Sequence, residues 1–516
     1  VRQAASLQTV AVRALGLILR PDGMRARSHS SVHNAHLTIF AMCALFNNSF
    51  TPYHHLHRCN LERNIPMSSR FAVFAAAVTL PTCFLLTADV FAQASGPVLT
   101  GQAAFTSFSQ EHPGVRHHIT VDNLPKPYAT PGVDAGSEII PRPANAWPQA
   151  PAGFKVDQYY TGLDQPRLIR TAPDGDLFVA LSYQNKVMVF RGVGPDGKAK
   201  QVSTFAADLS QPFGIAFYPL GPNPQWVYIG NTDSVVRFPY KNGDMTASGP
   251  AQKLADLPGG GKLRGGGHWT RDIRFSQDGK QMLVSVGSHS NIDDPDTHPA
   301  EFHRADILEF TPEGKFERVY ASGIRNCVGE AIQPGTGELW CSTNERDMLG
   351  NNLVPDYITH IQEGGFYGWP YYYMGGKAGG RWDPRLQGKH PELQSKVITP
   401  DVLLQPHFAS LEMTFYEGKQ FPPQFHGDIF AAEHGSWNRE PRAGYEVITV
   451  PVKDGKATGE WDDFLTGFVT PEGKVWGRPV GVTVAKDGSL FVTDDGSGSI
   501  WHVSYAGSKG SPAAGQ

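Results

Sequence analysis

The chain is poor in charge, cysteine and helical pattern. Charged residues are 18% of 516 positions, and no apolar period of a long coiled coil or polar tract of a disordered chain accompanies them. Only five cysteines occur, Cys43, Cys59, Cys83, Cys327 and Cys341, and none stands in a Cys-x-x-Cys-His run. A covalently attached c-type haem is therefore excluded. No Gly-x-Gly-x-x-Gly leads from a strand into a helix, so the dinucleotide fingerprint is missing. Ser436 lies outside any Gly-x-Ser-x-Gly elbow, which removes direct support for serine-hydrolase chemistry. Glycine shows no period of three, which rules out collagen. No helix of convincing length and amphipathic period can be drawn.

Turn formers and aromatics fill the space. Glycine (56) and proline (40) make up nearly a fifth of the chain, and aromatics are 11%. Residues 1–94 hold eight Arg, no Lys and three acidic residues. From residue 95 onward 37 basic residues face 46 acidic ones. Such an acidic body argues against nucleic acid as the main partner.

An export signal is expected at 67–94. Arg70 supplies the positive start, Phe71 to Val78 opens an apolar stretch that continues through Leu85 and Leu86, and Ala92-Gln93-Ala94 fits the small-x-small cleavage rule. Pro81 and Asp89 interrupt the run, which makes it short for a membrane span. This reading places the mature start near Ser95, the protein in the periplasm, and residues 1–66 in an over-long gene-model extension. Only Cys327 and Cys341 then remain. They flank Gln333-Pro334-Gly335-Thr336-Gly337, a turn-like stretch whose hairpin is able to bring them together.

Strand signals dominate the rest. Alternating or β-branched runs at 176–180, 226–230, 281–287, 338–342, 428–432 and 489–493 recur, several just after Asp-Gly or its equivalent. Six turn-plus-strand units with room for about four strands each predict an all-β, six-bladed β-propeller over 155–505. Residues 95–154 are a lead-in and 506–516 a tail. Residues 344–427 read as one long insertion loop, rich in glycine and aromatics, walling a central site and suited to a flat cofactor or a sugar. A pair of β-sandwiches is the rival architecture.

Several residues stand where chemistry is possible. His268, in Gly265-Gly266-Gly267-His268-Trp269, is either a base poised near neutral pH or a packing histidine. Arg325-Asn326 on a tight turn either fixes an anionic oxygen or links blades. Asn344-Glu345-Arg346-Asp347 offers hard ligands for Ca²⁺ or a solvated charge cluster. Glu433-His434-Gly435-Ser436-Trp437-Asn438-Arg439 reads equally as a site loop or a surface turn. Arg478, in Gly477-Arg478-Pro479, is an anion clamp or a solvated turn residue.

Taken in order, Gly267-His268, Asp278-Gly279, Val286-Gly287-Ser288-His289-Ser290-Asn291, Ala321-Ser322-Gly323-Ile324-Arg325-Asn326, Asn344-Glu345-Arg346-Asp347 and Phe366-Tyr367-Gly368-Trp369-Pro370 resemble the soluble periplasmic quinoprotein sugar and aldehyde dehydrogenases. The sorbosone dehydrogenase-like branch is the nearest in pattern. These are six-bladed propellers that bind pyrroloquinoline quinone (PQQ) with Ca²⁺. The resemblance implies His268 as catalytic base and Arg325 with Asn326 on the quinone oxygens, Arg325 also steadying negative charge there. It implies Ca²⁺ on carbonyls near Asp347 and Met348, with Trp369 of the insertion beside the cofactor. It implies a sugar or sugar-derived aldehyde as substrate, and an external cytochrome or quinone as electron acceptor. The chain departs from the glucose-oxidising members. They have Gly-Pro where Asp347-Met348 stands, a PQQ-binding lysine near His434, and a second arginine where Val480 follows Arg478. Their acidic residue orienting the base falls near Ser288, with Asp272 or Asn291 as substitutes. Two other functions compete: a Ca²⁺-dependent propeller lactonase, and a non-catalytic exported carbohydrate-binding propeller.

Overall fold

The computed structural model describes residues 97–259 and 267–507. The chain divides into two compact units, Val1–Ala88 and Asp89–Gln516, and every described residue belongs to the second. The expected export signal at 67–94, the 1–66 extension, Cys43, Cys59, Cys83, Gly265, Gly266 and residues 508–516 lie outside the described residues.

Six antiparallel sheets make a propeller. Blade 1 holds Ile169–Thr171, Leu177–Leu181, Lys186–Val193 and Ala199–Ala206, in that order from the inside out. Blade 2 holds Ile215–Tyr218, Trp226–Gly230, Ser234–Pro239 and Gln252–Asp256. Blade 3 holds Ile273–Phe275, Met282–Val286, Asp306–Phe310 and Phe316–Ser322. Blade 4 holds Cys327–Ile332, Leu339–Thr343, Pro355–His360 and Val402–Pro406. Blade 5 holds Ser410–Phe415, Ile429–Glu433, Glu446–Val450 and Glu460–Leu465, and the lead-in strands Arg116–His118 and Leu99–Thr100 extend it outward. Blade 6 holds Pro479–Val484, Leu490–Asp494 and Ser499–Tyr505, and its outer strand is Phe154–Tyr160 from the start of the propeller. That pairing of first and last segments closes the ring and removes a sheet edge.

Each of the six marker runs in the sequence is the second strand of a blade. These strands are buried on both faces, as in Leu177–Leu181 and Leu339–Thr343, because each blade is sandwiched between two neighbours. Their apolar content is therefore nearly continuous and not strictly alternating.

The inner strands present free edges to the axis, and buried carboxylates cap some of them. Glu412 accepts the backbone N–H groups of Ile169 (3.1 Å) and Val482 (3.3 Å). Asp272 accepts those of Ile273 (2.8 Å) and Glu330 (2.9 Å). Arg170 pairs with both, at 3.1 Å to Asp272 and 2.9 Å to Glu412. Asp272 is thus committed to the axial channel.

The reading of 344–427 as a single loop is corrected. It contains two strands of blade 4 and the first strand of blade 5. The true insertion runs between Pro355–His360 and Val402–Pro406 and carries its own small sheet, Tyr372–Tyr373 with Arg381–Trp382. Its aromatics face inward: Tyr367, Trp369, Tyr371, Tyr372 and Tyr373 are all buried. Cys327 and Cys341 form a disulfide across the first two strands of blade 4.

Candidate functional site

In each blade, the loop entering the first strand and the loop leaving the second open on the same face of the ring. From entering loops come Arg167, His268, Arg325, Asn326, His407 and Arg478; from leaving loops come Ser288, Asn291, Asn344, Asp347, His434 and Asp495. A cavity of about 470 Å³ lies there. Its walls include His268, Arg325, Asp347 and His434 of the sequence-derived candidates, with Asn291, Asn344, His407, Trp437 and Asn438. The three elements expected to converge, His268, Arg325 and the 344–348 turn, do share one cavity.

The base candidate is held in one tautomer. His268 Nδ1 lies 2.9 Å from the Ser288 carbonyl and 3.0 Å from Ser288 Oγ. The Ser288 hydroxyl donates its own proton to the Ser290 carbonyl (2.6 Å). Nδ1–H therefore donates to the Ser288 carbonyl, and Nε2 keeps its lone pair. Neither Asp272 nor Asn291 orients the ring; a backbone carbonyl does. Burial and then the nearby Arg325 guanidinium push the imidazole pKa down to about 3, so the ring is neutral at physiological pH. Arg271 and Arg304 both donate to the His268 carbonyl (3.1 and 3.3 Å), fixing its backbone. Gly267 adopts φ +75°, and a Cβ on Gly287 would stand 2.6 Å from His268 Cβ and 2.2 Å from Asn326 Oδ1. Those two positions need glycine.

Arg325 is spread over the floor. It donates to the Glu345 carbonyl (2.6 Å) and to Asn291 Oδ1 (3.1 Å), and it pairs with Asp347 at 2.9 Å. Asp347 also accepts from Asn438 Nδ2 (2.6 Å) and lies 3.8 Å from His407. Burial opposes ionisation of Asp347, but Arg325, His407 and Asn438 outweigh it and hold the carboxyl well below its usual range. Asn326 gives its amide N–H to Asn344 Oδ1 (3.2 Å).

A second cationic group surrounds Asp495. This fully buried carboxylate receives Arg167 Nη1 (2.6 Å), Arg478 Nε (2.8 Å) and His434 Nε2 (3.0 Å). Burial, opposed in part by Asp495, pushes the His434 pKa down to about 4, so His434 donates as a neutral ring. His434 lines the cavity while Arg478 stands behind it. Arg167 and Asp495 escaped the sequence reading. The one signal was Asp494-Asp495 at the end of an apolar strand, the position equivalent to Glu433-His434 in blade 5.

Four sequence-derived candidates stand off the cavity lining: Asn326, Trp369, Arg478 and Met348. Trp369 does not line the cavity; its indole N–H holds the Asn291 carbonyl (2.9 Å), so the insertion braces a wall loop from behind. Met348 is turned to the exterior, with φ +73° and 42% exposure, against Gly132 of the lead-in.

Arg325 is the guanidinium on the cavity wall, a cationic contact for a flat anionic quinone. Asn326 Oδ1 and Asn438 Oδ1 are buried without a hydrogen-bond partner. Those two orphaned oxygens, with the Asp347 carboxylate, are hard oxygen ligands of the kind Ca²⁺ takes. Among the described residues, no group of three or more His, Cys, Asp or Glu side chains is spaced to hold a metal.

Fold and site together define a six-bladed propeller with one polar, imidazole- and guanidinium-lined cavity on its axis. The sequence profile of the TrAA12-like family matches residues 148–362 and 387–506, and the chain belongs to that family. The match breaks inside the blade 4 insertion. An uncharacterised protein of Borreliella burgdorferi is 29% identical over 368 residues, covering 69% of this chain and 90% of that one. The pyrroloquinoline quinone-dependent pyranose dehydrogenase of Coprinopsis cinerea is 25% identical over 409 residues, covering 68% of this chain. This chain spans about half of that enzyme, 54% of its length. Among solved structures, the holo PQQ domain of the Coprinopsis cinerea pyranose dehydrogenase superposes with TM-score 0.57 at 23% identity, covering 70% of this chain and 98% of that one. A calcium structure of a Trichoderma reesei family AA12 carbohydrate-active enzyme gives 0.58 at 19% identity, covering 71% and 99%. These structures establish the shared fold.

Proposed function

We propose that the protein is an exported quinoprotein dehydrogenase that oxidises a sugar or sugar-derived aldehyde, sorbosone-like or pyranose, and passes electrons to an external acceptor. The observation that carries this reading is the neutral His268, its Nε2 lone pair uncommitted, in one cavity with Arg325 and Asp347. PQQ, when bound, supplies the two-electron oxidant. His268 Nε2 removes the proton from the hydroxyl of the oxidised carbon or of an aldehyde hydrate. Arg325 and Asn326 hold the cofactor's oxygens and steady negative charge there. Arg478 and Arg167, held on Asp495, add positive charge behind the His434 wall. Asp347, with Asn438 Oδ1, is the place for a Ca²⁺ ion. The Cys327–Cys341 disulfide suits an oxidising compartment such as the periplasm.

A lactonase would also use an axial cavity, so the test must separate the two. Protein is incubated with PQQ and Ca²⁺, an aldose or aldehyde and an artificial electron acceptor are added, and bleaching of the acceptor is followed. Bleaching that needs PQQ supports the dehydrogenase. Lactone hydrolysis without PQQ, and no bleaching with it, would overturn the reading.

A further inference from the structure

Ten tryptophans occur in the chain, and Trp437 is unlike the other nine. Trp226 and Trp269 lie under arginines, Trp382 packs on Tyr372, and Trp369 is hydrogen-bonded through its indole. Trp147, Trp340, Trp461, Trp476 and Trp501 have ring neighbours or indole acceptors. Trp437 has no ring, cation or hydrogen-bond partner for its indole among the described residues, and it is 46% exposed. It is also a wall of the axial cavity, along with His268.

The backbone beneath this free ring is pinned. The Trp437 carbonyl accepts the Ala135 N–H at 2.6 Å. On one side, Ser436 exchanges bonds with Ala443 (2.9 and 3.0 Å) and accepts Tyr445 OH (2.5 Å). On the other, Asn438 donates to Asp347 (2.6 Å). An indole with no ring, cation or hydrogen-bond partner, nearly half exposed and fixed on the wall of a polar cavity, is an unfilled contact. A flat ligand with one apolar face satisfies it. A pyranose has that character: its axial C–H bonds make an apolar face that an aromatic π-surface attracts, while its hydroxyls remain free for polar walls. Around the same cavity the His289 and His268 imidazoles offer such polar groups.

We infer that Trp437 is the stacking platform for a pyranose ring and so selects ring-form sugars over short open-chain aldehydes. The inference rests on the proposed dehydrogenase reading for its kinetic arm and stands apart from it in its binding arm. In the binding arm, hexopyranoses (D-glucose, D-galactose, D-mannose) are mixed with cofactor-free protein, and saturation transfer from protein to sugar C–H protons is measured by NMR. Binding is expected in the wild type, weakened about tenfold in Trp437→Ala and largely kept in Trp437→Phe. Equal sugar binding by Trp437→Ala, or none by the wild type, would overturn the inference whether or not PQQ is ever used. In the kinetic arm, Trp437→Ala lowers kcat/KM for a hexose about tenfold more than it lowers kcat/KM for glycolaldehyde. A wild type that oxidises glycolaldehyde but no hexose, or a variant that loses both substrates equally, would also overturn it. Absence of any PQQ-dependent turnover, with sugar binding intact, would count against the dehydrogenase reading alone.

Discussion

Asp495→Asn removes the charge that gathers Arg167, Arg478 and His434. The carboxylate is 2% exposed and Arg167 10%, so that pair has little water to replace the lost partner. Breaking a buried ion pair from one side costs about 3–5 kcal/mol, because the other charge stays buried. Arg478 is 24% exposed, so its share is screened and adds at most about 1 kcal/mol. We expect equilibrium urea unfolding at pH 7 to show Asp495→Asn less stable by about 3–5 kcal/mol. Coupling in a double-mutant cycle with Arg167→Met should be large and recover part of that loss. The pH dependence has a definite sign. Burial opposes ionisation of Asp495, yet its three partners hold the folded pKa far below the ordinary value. Its stability contribution is therefore complete above the unfolded carboxylate pKa, about 3.9, and lost as pH falls through the folded pKa. The penalty of the substitution should shrink below about pH 4. A loss under about 1 kcal/mol at pH 7, the level of an exposed pair, would refute the argument.

Other consequences can be checked in parallel. With His268 held near pKa 3, the acid limb of kcat/KM should not fall at the ordinary histidine pKa, and Arg325→Gln should move it upward by removing a repelling charge; a wild-type limb centred near pH 6.5 would contradict this. Glu446 is fully buried with both carboxylate oxygens unpartnered, and burial, then Asp463, Glu111 and Glu433, raise its pKa well above normal. Stability should therefore decline as pH rises from the ordinary carboxylate range through neutrality, and Glu446→Gln should flatten that decline in melting curves at pH 5 and pH 8. Replacing Cys327 and Cys341 by serine opens a loop of sequence separation 14 and should cost about 3 kcal/mol in denaturant titrations, with no effect of added reductant on the variant.

The architecture was legible because the propeller repeats its strongest signal. Each blade buries nearly all of its second strand, and six apolar runs, several of them after Asp-Gly as in Asp487-Gly488-Ser489-Leu490-Phe491-Val492, repeat that signal. The same repetition made the site partly legible, since residues after those strands, Ser288, Asn344 and His434, fall on one face. What stayed hidden depends on long-range pairing. Arg167 and Asp495 are 328 positions apart, and nothing local marks either. The insertion misled for a physical reason: a cluster of tyrosines and tryptophan suits a ligand wall and a buried brace equally well, and long-range bonds such as Trp369–Asn291 and Tyr371–Asp294 reveal the brace. The strands inside 344–427 were obscured by the glycines and prolines around them.

The central claim is that His268 moves a proton in a cavity that holds the oxidant. The most direct measurement is an anaerobic single turnover of PQQ- and Ca²⁺-loaded protein with its sugar, following the cofactor's absorbance in the wild type and in His268→Ala. The account predicts saturable PQQ binding by both, rapid reduction in the wild type, and reduction slowed at least about a hundredfold in the variant. Equal reduction rates, or no saturable PQQ binding by the wild type, would contradict it.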